Sequence, residues 1–136
     1  MKTRSELRNV IVSVLYQVYI LDGSNLSYNV EDLIKEQLEV DNDFVNDTVN
    51  GIIKNQEKID KMANKYLKNW TIDRLSKVDR AIISLGIYEL LYTDVPAIVA
   101  INEAIELAKK YSDDKVVKMI NALLDNIYHS EVEDEW

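Results

Sequence analysis

The sequence predicts an all-α protein, folded as a compact single-domain bundle of about seven helices. The chain has 136 residues but only three glycines and one proline, too few turn residues for an all-β fold. Apolar residues recur at spacings of three and four along most of the chain, as in amphipathic helices. Hydrophobic residues make up 47% of the total, enough for one core, and the length suits one domain rather than two.

The first half of the chain is predicted to form four helices. A single apolar stripe runs from Leu7 to Leu21, and the turn residues at positions 22–25 end that helix. A short helix is expected at residues 30–38. A third is expected at residues 44–53, after N-cap candidates at residues 41–43. We expect a break at Asn55, followed by a fourth apolar stripe between Ile59 and Leu67.

The fifth helix is the most apolar part of the sequence. Thr71 is expected to cap a brief turn, and Ser76 the helix itself, with Asp79 as the acid of a capping box. Apolar residues between Val78 and Leu91 fall on more than one side of this helix. A helix of this kind is usually surrounded by others, so we expect it at the centre of the bundle.

Two further helices complete the predicted bundle. Pro96 requires an extended approach to a helix at about residues 101–111. Ser112 is expected to cap the last helix, at about residues 113–128. We therefore divide the chain into a helical domain at residues 1–128 and an acidic tail at residues 129–136, which its composition predicts to be disordered.

The charge of the chain is acidic and unevenly spread. The formal net charge is −8, with residues 22–47 contributing −7 and the tail −4. The first eight residues are basic, so any nucleic-acid contact would have to be local. No apolar run approaches the roughly 20 residues of a membrane span, no signal-peptide cleavage site follows the first helix, and cysteine is absent. These features predict a cytoplasmic protein with no membrane contact.

The sequence offers little material for catalysis. The one histidine, His129, falls in the acidic tail and is interpreted as a surface residue. The three glycines are isolated, which excludes a glycine-rich phosphate loop. Glu103 and Glu106 share a helix face, but we interpret Glu103 as supporting the helix N-terminus and Glu106 as pairing with Lys110. We therefore predict no enzyme activity, no metal and no cofactor.

Several segments together resemble the NusB family of bacterial antitermination factors. The central segment reads NWTIDRLSKVDRAII at residues 69–83, followed by IYELL at residues 87–91. DVP at residues 94–96 and AINEAIELAK at residues 100–109 continue the similarity. It also includes VLY at residues 14–16 and KMINALLD at residues 118–125, where the family usually reads close to KFVNGVLD. The resemblance covers the chain from about residue 4 to residue 128.

The resemblance implies a seven-helix fold and a role in assembly rather than catalysis. Members of the family bind boxA-type single-stranded RNA in nascent ribosomal RNA transcripts, together with the small-subunit ribosomal protein NusE. The pair joins the RNA polymerase elongation complex with other Nus factors and suppresses termination. Pairing of two weak RNA binders can supply adequate affinity.

The resemblance also points to two sets of site residues. The RNA surface would include a basic segment at the first helix and a second group at the last helix: Lys2, Arg4, Arg8, Lys115, Lys118 and Asn121. The face for the protein partner would include Tyr16, Asp73 and Asp79, with Glu89 as a weaker addition. Trp70 is interpreted as a core anchor or a plug at a hinge, rather than a platform on which a base stacks.

Two other functions are compatible with the sequence. A domain of this family also forms the RNA-binding part of a ribosomal RNA cytosine methyltransferase. These 136 residues contain no cofactor-binding βαβ unit, so that function would require the chain to be part of a longer protein. Alternatively, the chain could be a self-associating helical protein, such as a homodimer, without an RNA role. Its behaviour on size exclusion against concentration and salt would separate that case.

Overall fold

Seven α-helices build the fold in this computed structural model, which describes residues 1–133. No strand occurs among those residues. A 3₁₀ turn (Ile72–Arg74) precedes the fifth helix, and a π-helical turn (Tyr128–Val132) follows the seventh. The helices are α1 (Arg4–Gly23), α2 (Val30–Gln37), α3 (Asp43–Lys54), α4 (Gln56–Tyr66), α5 (Lys77–Tyr92), α6 (Ala97–Tyr111) and α7 (Asp114–Ile127). The all-α, seven-helix prediction is confirmed.

Polar side chains fix where most helices begin. At α1, Thr3 and Glu6 form a capping box, in which each side chain accepts a hydrogen bond from the other's backbone N–H, at 3.1 and 2.8 Å. Asn29 and Asn42 cap α2 and α3. The Ser76 hydroxyl accepts from the Asp79 N–H at 3.1 Å, as predicted for α5, but the Asp79 carboxylate accepts from Ser112 and does not complete the predicted capping box. These caps satisfy amide groups that a helix leaves without partners.

Helix α5 is the centre of the bundle, as its sequence predicts. It packs against α1, α3, α4, α6 and α7, and Ile82, Ile83 and Ile87 are completely buried. Gly86 allows close packing here, because a Cβ atom at that position would lie 2.8 Å from Leu124 Cδ1 of α7. The core therefore holds one rigid element in the middle, and α1 and α7 present their outer faces to solvent.

Two helix starts differ from the prediction. Helix α6 begins at Ala97 rather than near Ile101, because the Pro96 carbonyl accepts from the N–H groups of Val99 and Ala100 at 2.9 and 3.0 Å. Proline is compatible with a helix start, since the amide hydrogen it lacks would have no helical partner there. Helix α7 is capped by Asp113, whose carboxylate accepts from the Val116 N–H at 3.0 Å. Ser112, the predicted cap, instead donates to Asp79.

Trp70 is not in the core, contrary to its interpretation as an anchor. Its exposed fraction is 52%, whereas the nearby Ile72 is 3% exposed and fills the corner between α4 and α5. The Ile72 N–H donates to the Asn64 carboxamide at 2.7 Å, which holds that corner closed. The apolar anchor is therefore Ile72, and Trp70 is free to face solvent.

The first part of the predicted tail is ordered. Residues 128–132 continue α7 as a π-helical turn, closed by a hydrogen bond of 2.8 Å from the Glu133 N–H to the Tyr128 carbonyl. The remainder of the predicted tail, residues 134–136, lies outside the described residues. Within residues 1–133, no helix is both long and apolar enough to cross a membrane.

Candidate nucleic-acid and protein interface

The basic segment at the start of α1 is divided by the fold. Lys2 and Arg4 are exposed, and the Arg4 guanidinium lies 4.0 Å above the centre of the Phe44 ring. This cation–π contact directs Arg4 towards α3 without burying it. Lys2 lines a shallow groove between α1 and α6, together with Asn9 and Lys110. Both cations can still meet an external anion.

Arg8 is buried, unlike the other two basic residues. Its Nε and Nη2 atoms donate to the two carboxylate oxygens of Glu89, at 2.9 Å each. Nη1 donates to Glu103 at 3.2 Å. Arg8 is 4% exposed and Glu89 1% exposed. The prediction had Arg8 on the RNA surface and Glu89 on the partner face; the structure instead joins them in one internal ion pair.

The two glutamates of α6 also have roles other than those predicted. Glu103 accepts hydrogen bonds from Ser5 and Arg8, so it connects α6 to α1 rather than supporting its own helix terminus. Glu106 forms its ion pair with Lys109 at 3.2 Å. Lys110, the predicted partner of Glu106, donates to Asn9 of α1. Both glutamates therefore have structural rather than catalytic roles, as the sequence predicts, but their partners differ from those predicted.

The predicted basic group on α7 is also divided. Lys115 and Lys118 are both exposed, one helical turn apart. Lys115 lines a groove between α7 and residues 66–76. Asn121 lies on another side of α7, beside Ile98 and Asn102 of α6. The structure therefore places Lys115 and Asn121 in separate depressions.

The groove beside Lys115, called the α7 groove below, combines an apolar floor with a basic rim. Its volume is about 520 Å³. Val116 and Met119 of α7 and the half-exposed Trp70 supply apolar surface. The exposed cations Lys68, Arg74 and Lys115 surround it. The sequence predicts Lys115 as an RNA-binding residue but does not indicate Lys68, Trp70 or Arg74, because Trp70 is interpreted as a core residue. The signal was an aromatic residue with a lysine two residues before it and an arginine four residues after it.

The predicted partner residues fall on one side of α1 and on the approach to α5. Tyr16 is 38% exposed, and Ile20, one turn further along α1, is 36% exposed. Asp73 is exposed in the 3₁₀ turn and accepts a hydrogen bond from the Thr71 hydroxyl. Asp79 is only 8% exposed and accepts from the Ser112 hydroxyl. Tyr16 and Asp73 are thus available to a partner, whereas Asp79 mainly joins α5 to the start of α7.

A polar network behind Tyr16 fixes α1 against α4 and α5. The Tyr19 hydroxyl lies 2.8 Å from the Gln56 side-chain oxygen and 3.2 Å from Ser84 Oγ. Burial raises the pKa of Tyr19 to about 12, so this hydroxyl stays protonated at neutral pH. Arg80 lies 4.1 Å from the centre of the Tyr19 ring and donates to Asp60 at 2.8 Å. The exposed part of α1 therefore has rigid support.

His129 is exposed, as predicted, but it has defined partners. Its ring nitrogens lie 3.0 Å from Glu133 and 3.4 Å from Asp125. The hydrogen bond to Glu133, followed by the two negative charges, raises the pKa of His129 above its ordinary value. Among residues 1–133, no group of three or more histidine, cysteine or acidic side chains could hold a metal ion.

This arrangement defines a class of protein. A helical scaffold presents a groove with basic and aromatic side chains, an exposed tyrosine on α1 and an exposed aspartate in the 3₁₀ turn, which are features of a binding protein that joins a nucleic acid to a protein. The model of the NusB family matches residues 5–129. The chain belongs to the NusB family.

Individual relatives agree with this assignment. The chain is 42% identical over 126 residues to the transcription antitermination protein NusB of Ligilactobacillus salivarius, covering 88% of this chain and 96% of that protein. A crystal form of Thermotoga maritima NusB superposes with a TM-score of 0.84 at 34% identity, covering 98% of this chain and 96% of that one. A crystal structure of antitermination factors NusB and NusE in complex with double-stranded RNA gives a TM-score of 0.79 at 28% identity, covering 93% and 96%.

Proposed function

We propose that this chain is a cytoplasmic transcription antitermination factor. It binds boxA-type single-stranded RNA of nascent ribosomal RNA transcripts together with the ribosomal protein NusE. The complex joins the elongating RNA polymerase and suppresses termination. Family membership supports this function, and the solved relative supports NusE as the protein partner. The RNA in that relative is double-stranded, so the choice of single-stranded boxA RNA rests on the family resemblance. The chain acts by binding and carries out no reaction.

The single observation that carries the RNA-binding proposal is the α7 groove. Its basic rim lies on a protein whose net charge is −8, so the local cations are not explained by a generally basic surface. Single-stranded RNA presents unstacked bases, and an exposed aromatic ring is a platform on which a base can stack. Trp70 is such a ring, with Lys68, Arg74 and Lys115 beside it for the phosphates.

The exposed cations of α1 extend the proposed RNA surface. Of the three basic residues predicted at α1, only Lys2 and Arg4 belong to this surface, because Arg8 is paired with Glu89. Lys118 adds a further cation one turn from Lys115. Such contacts position the RNA backbone and make affinity dependent on salt, whereas stacking in the groove is less sensitive to salt.

The proposed face for NusE is the exposed part of α1 with the 3₁₀ turn. Tyr16 and Ile20 offer apolar surface, and Asp73 offers a negative charge to a basic ribosomal protein. Complementary charge speeds encounter and fixes the register of docking. Tyr16 and Ile20 do not line the α7 groove, whereas Asp73 directly precedes Arg74, which does, so the two proposed surfaces meet at the 3₁₀ turn.

The groove can be tested by charge-matched substitutions. We expect Lys115→Gln to weaken binding of a fluorescein-labelled boxA RNA, measured by anisotropy in the presence of NusE, by about threefold to tenfold. Lys61→Gln is the control, because Lys61 is an exposed cation of α4 that does not line the groove. Equal effects of the two substitutions would mean that only total charge matters and would contradict the proposed groove.

The two alternatives from the sequence receive less support. The Ligilactobacillus salivarius relative, 96% of which is covered, is named as an antitermination protein rather than a methyltransferase. For the homodimer, Ile98 at the start of α6 is exposed, but a single exposed apolar side chain is ordinary on a monomer. A mass of 15.7 kDa, that of one chain, at every concentration in light scattering would exclude the homodimer.

A further inference from the structure

The π-helical turn after α7 places an acidic side chain at one end of the α7 groove. The Glu131 carboxylate accepts hydrogen bonds from Lys65 Nζ, at 2.7 Å, and from the Tyr66 hydroxyl. Tyr66 lines the groove, as does Asn126, two residues before the π-helical turn. Glu131 thus accepts from both Lys65 and Tyr66, the last two residues of α4, where that helix meets the groove.

The contact is chemically similar to the binding of a phosphodiester. An ammonium group and a phenolic hydroxyl converge on one oxygen of Glu131, as they would on a non-bridging phosphate oxygen. The side chain of Glu131 is 22% exposed, although it belongs to a surface turn. The hydrogen bond to Glu131 raises the pKa of Lys65, and the bond from Lys65 lowers the pKa of Glu131. Both groups are therefore charged at neutral pH.

Polar contacts of the Glu131 side chain, rather than of the whole turn, are few. Tyr128 and Val132 pack against the core and keep the π-helical turn in place, while His129 contacts Asp125 of α7 and Glu133. The Glu131 side chain itself is held only at the surface, by Lys65 and Tyr66. A surface ion pair contributes little to stability, so an RNA phosphate can displace the carboxylate at small cost.

We propose that Glu131 is an intramolecular competitor of RNA. Lys65 and the Tyr66 hydroxyl form a phosphate contact at the end of the α7 groove, and in the free protein the carboxylate of Glu131 fills it. RNA enters this part of the groove only by displacing the Glu131 side chain. The inference rests on the proposed RNA-binding function and adds a regulated subsite to it.

The competitor can be removed by one isosteric change. We expect Glu131→Gln to lower the Kd for fluorescein-labelled boxA RNA, with NusE present, by about threefold to tenfold, because Lys65 is no longer neutralised. The dependence of log Kd on log salt should steepen by about 0.7, the value for one added phosphate contact on a single strand. Glu57→Gln is the matched control, since Glu57 is an exposed acid of α4 that contacts only Lys61, at 4.0 Å.

A second variant tests the mechanism rather than the charge. Lys65→Gln should change the Kd less than twofold in the otherwise unaltered chain, where Lys65 is already paired. In the Glu131→Gln background it should abolish the gain. Additive effects of the two substitutions would contradict competition at a shared site.

The outcomes separate the inference from the function on which it rests. Unchanged affinity after Glu131→Gln, or an equal gain after Glu57→Gln, would overturn the competitor while leaving RNA binding by the unaltered chain intact. Absence of RNA binding by the unaltered chain and by both variants, with NusE present, would overturn the proposed function itself.

Discussion

Arg8 of α1 and Glu89 of α5 form a bidentate ion pair in the interior, with two N–O distances of 2.9 Å. Their side chains are 5% and 2% exposed, so neither can meet an external partner. A third hydrogen bond joins Arg8 to Glu103 of α6. Three helices therefore meet at one guanidinium, which makes Arg8 part of the scaffold that supports the basic N-terminus.

Loss of Arg8 should make the protein less stable to unfolding. Arg8→Met leaves the Glu89 carboxylate buried without its partner, and we expect the free energy of unfolding to fall by about 3–5 kcal/mol in urea titrations. Arg4→Gln, at an exposed position, should change it by less than about 0.5 kcal/mol. Similar stabilities of the two variants would contradict the structural role of the ion pair.

The exposed cations of the N-terminus should act on RNA rather than on stability. The double variant Lys2→Gln and Arg4→Gln should weaken RNA binding and reduce the slope of log Kd against log salt by about 1.4, or 0.7 for each lost phosphate contact. Binding of NusE should stay the same, because Tyr16 and Asp73 are unaltered. An unchanged salt slope would remove both cations from the RNA surface.

Trp70 should contribute to RNA binding through stacking. Trp70→Ala is expected to cost about 1–3 kcal/mol of RNA binding, or roughly 5- to 150-fold in Kd. The loss should persist at high salt, because stacking is not a charge interaction. Thermal unfolding should change little, since half of the side chain is exposed. If Trp70→Ala lowered the free energy of unfolding by more than it weakened the free energy of RNA binding, Trp70 would have a structural role instead.

The order of the C-terminal turn should depend on pH through His129. Its pKa is raised above the ordinary value of 6.5, chiefly by the hydrogen bond to Glu133. A raised pKa in the folded state means that the ion pairs are fully present below about pH 6.5 and are lost as the pH rises through the higher folded value. NMR of the imidazole should give a midpoint above 6.5, and Glu133→Gln should lower it. A midpoint at or below 6.5 would show that these pairs do not form.

Helix positions could be predicted from the sequence, but the partners of individual side chains could not. The apolar stripe of α1 and the Ser76 cap depend on neighbours within one or two turns, and both are confirmed. The pairing of Arg8 with Glu89 spans 81 residues, and helical spacing says nothing about such a contact. Helical spacing places Arg8 near the polar side of α1. From there its side chain can reach either solvent or an internal acid.

The error at Trp70 has a related cause. A tryptophan at a corner between helices is usually largely buried, so its residue type predicts a place in the core. Ile72 fills that corner because the 3₁₀ turn directs it inward, where its N–H also finds Asn64. The α7 groove then arises from residues of two segments that are about 45 positions apart, and periodicity within either one cannot indicate it.

The most direct test of the central claim is an anisotropy titration of boxA RNA with the chain alone, with NusE alone and with both. Weak binding by each protein and a Kd at least tenfold lower for the pair is the predicted result, since the two proteins share one RNA. The same titration with a scrambled RNA should show a smaller gain. Equal affinity with and without NusE would contradict the proposal that this chain acts as half of an RNA-binding pair.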